Sequence, residues 1–350
     1  MIARAPTEPV IGPFHREWAD LADRTNASPF VQPGWVLPWA ELRGFEVELA
    51  AVRRDGTLVA AMPMVRTRKG KVTPTDWHTP LFEAIAADDA ALTELAETLV
   101  ARHHRYLSLG FLHQDGPTHR AFIRSLRDAG YRVRQRTVLR SPYIHLTGSW
   151  EDFLAAWPAK RRSDLGRRRR RLEEQGVVSL ETHDGTGSLE DLLTEGFEVE
   201  ASGWKGTRGT AIRTEGTESL YRRVAAWAAA EGKLRLGFLR LDGRAIAFDY
   251  CFEIGTTHYL VKTGFRPEYS AYAPGKLLRA HMIEAAYAAG FETYDFVGDA
   301  DPWKMEWTDT ASPIVTVEAY SPRPLGVLAR TAGLIERGGR WAGRRLRFRT

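Results

Sequence analysis

The sequence contains a single cysteine and no long apolar run. Cys251 is the only thiol in 350 residues, which excludes an internal disulfide framework and a multi-cysteine metal site. No hydrophobic stretch approaches the roughly 18–20 residues that a membrane-spanning helix needs. The first residues also have no apolar core of the kind found in a secretory signal. We therefore expect a cytoplasmic protein without a membrane span, and the scattered histidines lead us to expect no metal site.

The composition is that of a globular protein with an anionic partner. Hydrophobic residues make up 43% and charged residues 27% of the chain, whose length fits two domains. The net charge of +5 indicates that the partner carries negative charge. Basic residues concentrate between Lys160 and Arg171, in a predicted helix. That helix is either a solvated basic face or a surface that binds the phosphates of a nucleotide-linked sugar or a tRNA acceptor stem.

The two halves of the chain repeat the same pattern. Each contains a helix, a hairpin with an Asp-Gly turn (at Asp55 or Asp242), a further helix and an aromatic-bearing strand. In the second half, Ser149 and Ser188 predict helix starts, the latter as a capping-box variant with Asp191. The pattern predicts a degenerate tandem duplication. We expect an N-terminal domain over 1–145, a C-terminal domain over 146–322 and a basic helical tail over 323–350.

The segment AYAPGKLL predicts an anion site at a helix start. Pro274 and Gly275 begin this helix, shortly after a strand that ends in Lys262, Thr263 and Gly264. The first turn of a helix has unpaired N–H groups and the positive end of the dipole. Glycine lets a phosphate approach the backbone, and Lys276 adds a cation. An isolated Pro-Gly pair more often only starts a helix, so the interpretation depends on the neighbouring motifs.

The order and spacing of these motifs resemble the GNAT superfamily. Within it, they resemble the branch of acetyltransferases of cellulose and exopolysaccharide clusters, which are related to the Fem-type peptidoglycan aminoacyl transferases. It extends over most of the chain to about residue 320. The segments that carry it are WPAKRRSDLGRRRRRLEEQG, EASGWKG, YLVKTGFRPEYSAYAPGKLL, IEAAYAAG and YDFVGDADPWKMEW.

The resemblance implies an α/β protein of the α+β kind, with two tandem GNAT folds. Each fold would be a mixed, largely antiparallel sheet flanked by helices, in which a splayed strand pair receives the pantetheine arm of the donor. Carried over here, the backbone of Lys262, Thr263 and Gly264 would bind that arm. The pyrophosphate would lie at Tyr272, Pro274, Gly275 and Lys276. The usual glycine-rich GNAT signature is replaced by Ser-Ala-Tyr-Ala-Pro-Gly, so the donor is either acyl-CoA or, as in the Fem-type relatives, an aminoacyl-tRNA.

Acyl transfer needs a neutral nucleophile, a group that stabilises the oxyanion and an acid for the leaving group. By resemblance to the Fem-type enzymes, Lys304 would stabilise the developing negative charge. Asp295, on an apolar strand, is predicted as base or orienting group, and Tyr269 as a proton donor. The structural alternatives are a solvated loop lysine, an ion-paired carboxylate and a packed tyrosine.

The acceptor site is predicted around the turn that follows a helix ending near Ala201. Glu200 is the proposed general base there, with Asp249 as a weaker candidate. The side chains proposed to contact the acceptor are Trp204, Lys205, Trp303 and Arg162. The structural alternative is a surface turn anchored by a tryptophan.

Three hypotheses follow from the sequence. The first is an acyltransferase that uses acyl-CoA, most simply acetyl-CoA, to acylate an amine or hydroxyl of a sugar, peptide or metabolite. The second is an aminoacyl-tRNA-dependent transferase that forms an amide. The third is a nucleic-acid-binding or scaffold protein without turnover. The acceptor, the acyl group and the oligomeric state stay open at this point.

Overall fold

The chain divides into two compact units. The computed structural model describes residues 13–203 and 211–322. Among the described residues, the first unit comprises 13–140 and 312–322, and the second comprises 141–203 and 211–311. The last strand thus belongs to the first unit, whereas the sequence-based division placed it in the domain over 146–322. The predicted basic tail over 323–350 lies outside the described residues.

Helices occur in both units. In chain order they are α1 (Pro13–Arg24), α2 (Pro33–Arg43), α3 (Asp89–Ala101), α4 (Pro117–Asp128), α5 (Trp150–Ala155), α6 (Ala159–Glu173), α7 (Leu189–Ala201), α8 (Glu218–Ala230), α9 (Pro274–Ala288) and α10 (Pro302–Met305). Two 3-10 helices, Pro29–Val31 and Pro267–Tyr272, precede α2 and α9.

The strands form a mixed sheet in each unit. They are β1 (Val47–Arg54), β2 (Thr57–Arg66), β3 (Lys71–Val72), β4 (Ile85–Ala86), β5 (Tyr106–His113), β6 (Arg132–His145), β7 (Val178–His183), β8 (Leu234–Leu241), β9 (Arg244–Ile254), β10 (Thr257–Phe265), β11 (Thr293–Asp295) and β12 (Ala311–Tyr320). This confirms the predicted α/β fold class.

The first unit has the strand order β1-β2-β3-β5-β12-β6, with β4 paired to β2. The predicted Asp-Gly hairpin joins β1 to β2, where Asp55 and Gly56 have φ of 50° and 78°. Such left-handed angles match the twist of a hairpin. Large aromatic side chains fill the core. The indole N–H of Trp18 donates to the Val31 carbonyl at 3.0 Å, whereas the buried indole N–H of Trp39 has no hydrogen-bond partner among the described residues.

The second unit has the order β6-β11-β10-β9-β8-β7, starting from the end of β6. All its strand pairs are antiparallel except β10 with β11, which is parallel. Helices cover both faces of this sheet. A Cβ atom on Gly237 would lie 2.7 Å from Met282 of α9, and one on Gly264 would lie 2.4 Å from the Cα of Glu200 in α7. Glycine is therefore needed at Gly264, where a side chain would meet helix backbone, whereas at Gly237 the neighbour is the flexible end of a methionine.

The two predicted helix caps have different outcomes. Ser149 starts α5 with a complete capping box. Its hydroxyl accepts a hydrogen bond from the backbone N–H of Asp152, and the Asp152 carboxylate accepts one from the backbone N–H of Ser149. Ser188 also precedes a helix, α7, but its side chain makes no capping hydrogen bond. The capping-box prediction at Ser188 is wrong because its φ of −92° and ψ of 60° are not the extended angles of a capping residue.

Candidate functional site

β10 continues past the end of its neighbour β11. The two strands pair only between Thr257–Tyr259 and Thr293–Asp295, where β11 ends. On its other side, β10 stays paired with β9 as far as Phe265, with a bulge between Leu260 and Lys262. Residues 260–265 of β10 therefore extend past the end of β11 and are not paired with it. We call this part of the strand the β10 edge. An extended ligand can add to such an edge through main-chain hydrogen bonds.

The start of α9 follows this edge in the chain. Ala273 precedes the helix with φ 51° and ψ 55°, a left-handed conformation that non-glycine residues rarely adopt and that clusters at functional sites. Pro274 has no N–H. Among the described residues, the N–H of Gly275 has no hydrogen-bond partner. The helix start thus offers an unpaired donor and the positive end of a dipole, which favour an anion.

Two residues predicted at the pyrophosphate have protein partners. Lys276 Nζ forms an ion pair with Glu306 at 2.9 Å, whereas the sequence analysis treats it as a cation available to phosphate. Lys276 therefore binds an anion only by sharing or leaving Glu306. Tyr272 packs against the apolar core together with Tyr269, and the guanidinium carbon of Arg171 lies 5.7 Å from the centre of the Tyr272 ring.

Asp295 is a buried carboxylate at the end of β11. Burial raises its pKa to about 6, against the opposing effects of the Val297 N–H, Lys304 and Ser141. Its Oδ1 accepts hydrogen bonds from the Val297 N–H at 2.8 Å and from the Ser141 hydroxyl at 3.4 Å. A carboxylate with this pKa changes its protonation close to neutral pH, which suits a general base.

Lys304, on α10, is buried as well, and burial lowers its pKa while Asp301 partly offsets that effect. Its Nζ donates to the carbonyls of Val297 and Asp299, both at 2.8 Å, and lies 3.2 Å from the Asp301 carboxylate. These three acceptors match the three donors of an ammonium group. Lys304 therefore closes the loop 297–301. For Lys304 to contact negative charge that develops on a substrate, its ammonium group must give up one of these three protein contacts.

The part of the chain that contains these features matches a known family. Residues 159–305 match the family model described as Acetyltransferase (GNAT) domain. This part of the chain is a GNAT acetyltransferase domain. The protein is accordingly an acyltransferase enzyme, as the sequence analysis predicts. No curated protein matches the sequence.

Solved structures share the fold over most of the chain. FemX has a TM-score of 0.63 at 14% identity, covering 89% of this chain and 96% of FemX. The C-terminal domain of a lysylphosphatidylglycerol synthetase from Agrobacterium fabrum has a TM-score of 0.57 at 13% identity, covering 92% and 96%. A protein of unknown function from Bacteroides thetaiotaomicron has 0.53 at 15%, covering 87% and 92%. These likenesses establish the fold and nothing finer.

The residues predicted to line the acceptor-substrate site differ in burial and in hydrogen-bond partners. Glu200 is 1% exposed, and its Oε2 accepts from the Ile212 N–H at 3.0 Å. Its backbone lies against Gly264, so α7 brings it beside the β10 edge. Arg162 lies on α6, where its guanidinium donates to the carbonyls of Ala155 and Trp157. Trp204 and Lys205 lie outside the described residues.

The arginine-rich helix α6 in the GNAT domain lies against the turn that leads into α9. Arg168 donates to the carbonyl of Ala271 at 3.2 Å and also pairs with Asp164. The pKa of Asp164 is lowered, chiefly by its hydrogen bond from Arg168, with a further contribution from Lys276. The basic face of α6 is therefore adjacent to the helix start at Gly275.

Sequence reasoning missed the most buried ion pair of the GNAT domain. Arg279 of α9 is 2% exposed and Asp249 of β9 is fully buried, and their side chains form a bidentate pair. From sequence alone, Asp249 was only a weak candidate for a base. The available signal was a charged residue inside each of two apolar stretches, KLLRAHMI and AIAFDYCF, since a charge there usually has a buried partner.

The described residues contain neither a candidate metal cluster nor a candidate membrane span. Over 13–203 and 211–322, no three or more His, Cys, Asp or Glu side chains form a group that could hold a metal ion. In the same ranges, none of the helices combines the length and apolar character that crossing a membrane requires.

Proposed function

We propose that this acyltransferase uses acyl-CoA, with acetyl as the simplest acyl group, to acylate an amine or hydroxyl of a sugar, peptide or metabolite. The observation that carries the proposal is the succession of the β10 edge and the start of α9 within residues 260–275. An extended pantetheine arm needs an open strand edge, and a pyrophosphate needs unpaired N–H groups. The part of β10 that extends past β11 and the N–H of Gly275 follow one another in the chain in the order in which those parts follow one another in the donor.

In this proposal the donor is held mainly by backbone. Main-chain groups of Lys262, Thr263 and Gly264 bind the pantetheine arm, and the Gly275 N–H binds the pyrophosphate. Pro274 and Tyr272 shape the turn, while Lys276 contributes charge through its shared contact with Glu306. The donor supplies the activated acyl group, so the protein needs only to orient the partners and manage one proton.

Asp295 is the proposed base for the acceptor. Its raised pKa, about 6, leaves it ionised at neutral pH but able to take a proton from an attacking amine or hydroxyl. Lys304 supports this group by its positive charge and by holding the loop beside it. Tyr269 remains a proposal as the proton donor to the leaving thiolate of the donor. Glu200 and Trp303 remain proposals for the acceptor side, and Trp303 is 37% exposed.

Calorimetry with coenzyme A tests the donor assignment directly. We expect a dissociation constant within the range of about 1 µM to 1 mM that is usual for enzyme substrates. Inorganic pyrophosphate should compete, because the proposed contact is to the pyrophosphate. Binding that pyrophosphate does not affect would refute the placement at α9, and absence of coenzyme A binding would refute the donor. Mass spectrometry with a panel of amines and alcohols then identifies the acceptor.

The charge of α6 favours a second candidate, an aminoacyl-tRNA-dependent transferase. Its 15 residues include eight Lys or Arg and two acidic residues, a net charge of +6 where the whole chain carries +5. This basic surface borders the proposed donor site and suits a phosphate backbone. The structural likeness to FemX is consistent with this candidate, given the Fem-type resemblance of the sequence.

Binding of charged tRNA at several salt concentrations separates the two candidates. Steeply salt-dependent binding that weakens in Arg167→Gln/Arg170→Gln, but not in the control Arg134→Gln/Arg136→Gln on β6, would favour the tRNA donor. Coenzyme A binding without tRNA affinity would discard it. RNA binding without any small donor or turnover would favour a scaffold protein instead.

A further inference from the structure

The Arg279 side chain joins α9 to three neighbouring strands. Its guanidinium forms a bidentate pair with Asp249 of β9. It also donates to the hydroxyl of Thr263 in β10 at 2.9 Å and to that of Tyr294 in β11 at 3.1 Å. Four of its five N–H donors are thus used. The fifth, at Nε, is buried and has no hydrogen-bond partner among the described residues.

These contacts lie at the point where the β10 edge begins. Asp249 and Thr263 are directly opposite each other across β9 and β10, on the face that α9 covers. Thr263 belongs to the β10 edge itself. Tyr294 lies in the last stretch of parallel pairing, opposite His258. Arg279 belongs to the helix whose first turn carries Gly275, and its guanidinium therefore contacts both the β10 edge and the end of β11.

Stability alone does not account for a charged pair at this place. Burial by itself would lower the pKa of Arg279, but the adjacent Asp249 carboxylate more than offsets this effect, so the pKa of Arg279 is raised and its guanidinium stays charged. A buried ion pair is often no more stabilising than well-packed apolar side chains of similar volume. What a bidentate pair adds is directional geometry, because it fixes both the distance and the orientation of the two elements that it joins.

We propose that Arg279 is a positioning residue of the acyl-donor site, which holds the start of α9 in place relative to the β10 edge. The inference rests on the proposed function, in which one donor molecule contacts both elements. Arg279 itself does not touch the donor. Arg279 would affect donor affinity because the pantetheine and pyrophosphate groups are covalently linked. If α9 shifts along the sheet, the donor cannot contact the β10 edge and the Gly275 N–H at the same time. Misplacement by about 1 Å can reduce the rate of a reaction by about 100-fold.

The test replaces the pair by apolar side chains of similar size, as Arg279→Met/Asp249→Leu in the full chain. We expect the thermal midpoint to stay near that of the wild type, coenzyme A affinity to fall by about tenfold or more, and amide hydrogen exchange to increase in segments 260–265 and 274–279. The matched control is Arg240→Met/Glu181→Leu, a cross-strand ion pair between β8 and β7. The control should change neither the affinity nor the exchange of those segments.

Each outcome decides a separate point. Unchanged exchange and unchanged affinity in a folded double variant would overturn the positioning role. Faster exchange limited to the two segments, in a protein whose wild type does not bind coenzyme A, would refute the proposed donor but support the positioning role. If the double variant does not fold, Tyr294→Phe removes one bond of the network and should loosen the same segments to a smaller extent. No change there would also overturn the proposal.

Discussion

A negative charge placed at Gly275 should separate folding from donor binding. A Cβ atom at this position would have Phe265 Cδ1, at 3.4 Å, as its nearest neighbour, which is ordinary contact distance. Aspartate is therefore tolerated sterically. It also lies in the first turn of α9, where an acidic side chain interacts favourably with the helix dipole by about 0.3–1 kcal/mol. We expect Gly275→Asp to be as stable as the wild type or slightly more so.

The same charge opposes an anionic donor. For a carboxylate about 6 Å from a pyrophosphate with two charges, an effective dielectric constant of about 40–80 gives a repulsion of about 1.4–2.8 kcal/mol. This corresponds to about a 10- to 100-fold loss of affinity. Gly275→Asn has the same shape without the charge and should lose much less.

Calorimetry with coenzyme A at low and high salt measures this difference, and urea unfolding checks stability. The gap between the Asp and Asn variants should narrow as salt rises, because the repulsion is screened. Equal affinity of the two variants would show that no anion binds at this helix start. If both variants unfold more easily than the wild type, the reading of Gly275 as a binding rather than a packing residue is refuted.

Three further outcomes are expected. Asp295→Asn should stabilise the protein above pH 6. Burial raises the Asp295 pKa to about 6, so ionising this carboxylate in the folded protein is unfavourable. The free energy of unfolding of the wild type should therefore fall as pH rises from about 4 to 6, by about 3 kcal/mol at most. Urea unfolding of the two proteins at pH 4 and 8 checks this, and an equal difference at both would contradict it. Gly264→Ala should lower the free energy of unfolding by about 1–3 kcal/mol, since its Cβ would meet the Glu200 backbone at 2.4 Å, whereas Gly275→Ala should not. A stable Gly264→Ala protein would mean that α7 can move away. Lys304→Met leaves the carbonyls of Val297 and Asp299 without their donor and should cost about 2–4 kcal/mol of stability as well as turnover. Turnover lost at full stability would instead indicate a direct catalytic contact.

Local features were predictable because they depend on neighbouring residues in the chain. The Asp-Gly turns at Asp55 and Asp242 form hairpins as expected, since the turn residues and the flanking strands are contiguous. The start of α9 at Pro274 and the end of β10 near Gly264 were likewise read from sequence. The family resemblance extended this to the α/β fold class and to the GNAT domain over 159–305.

Partner choice was not predictable from the sequence. From sequence, Lys276 was predicted to bind phosphate, yet its ammonium group pairs with Glu306. Lys304 was predicted to stabilise negative charge in the reaction, yet its ammonium group contacts three oxygen acceptors of the protein. Asp249 and Arg279 are 30 residues apart, and neither has a local signal that names the other. Their meeting depends on how closely α9 packs on β9.

Sequence by itself thus determined which segments form strands and helices and where the turns lie, and it predicts an anion site at the start of α9. Only the tertiary structure decided which charges are buried, which are paired and where β11 leaves the β10 edge uncovered. The physical reason is that backbone preferences act over a few residues, whereas burial and ion pairing depend on elements that are distant in the chain and come together only when the sheet and its helices have packed.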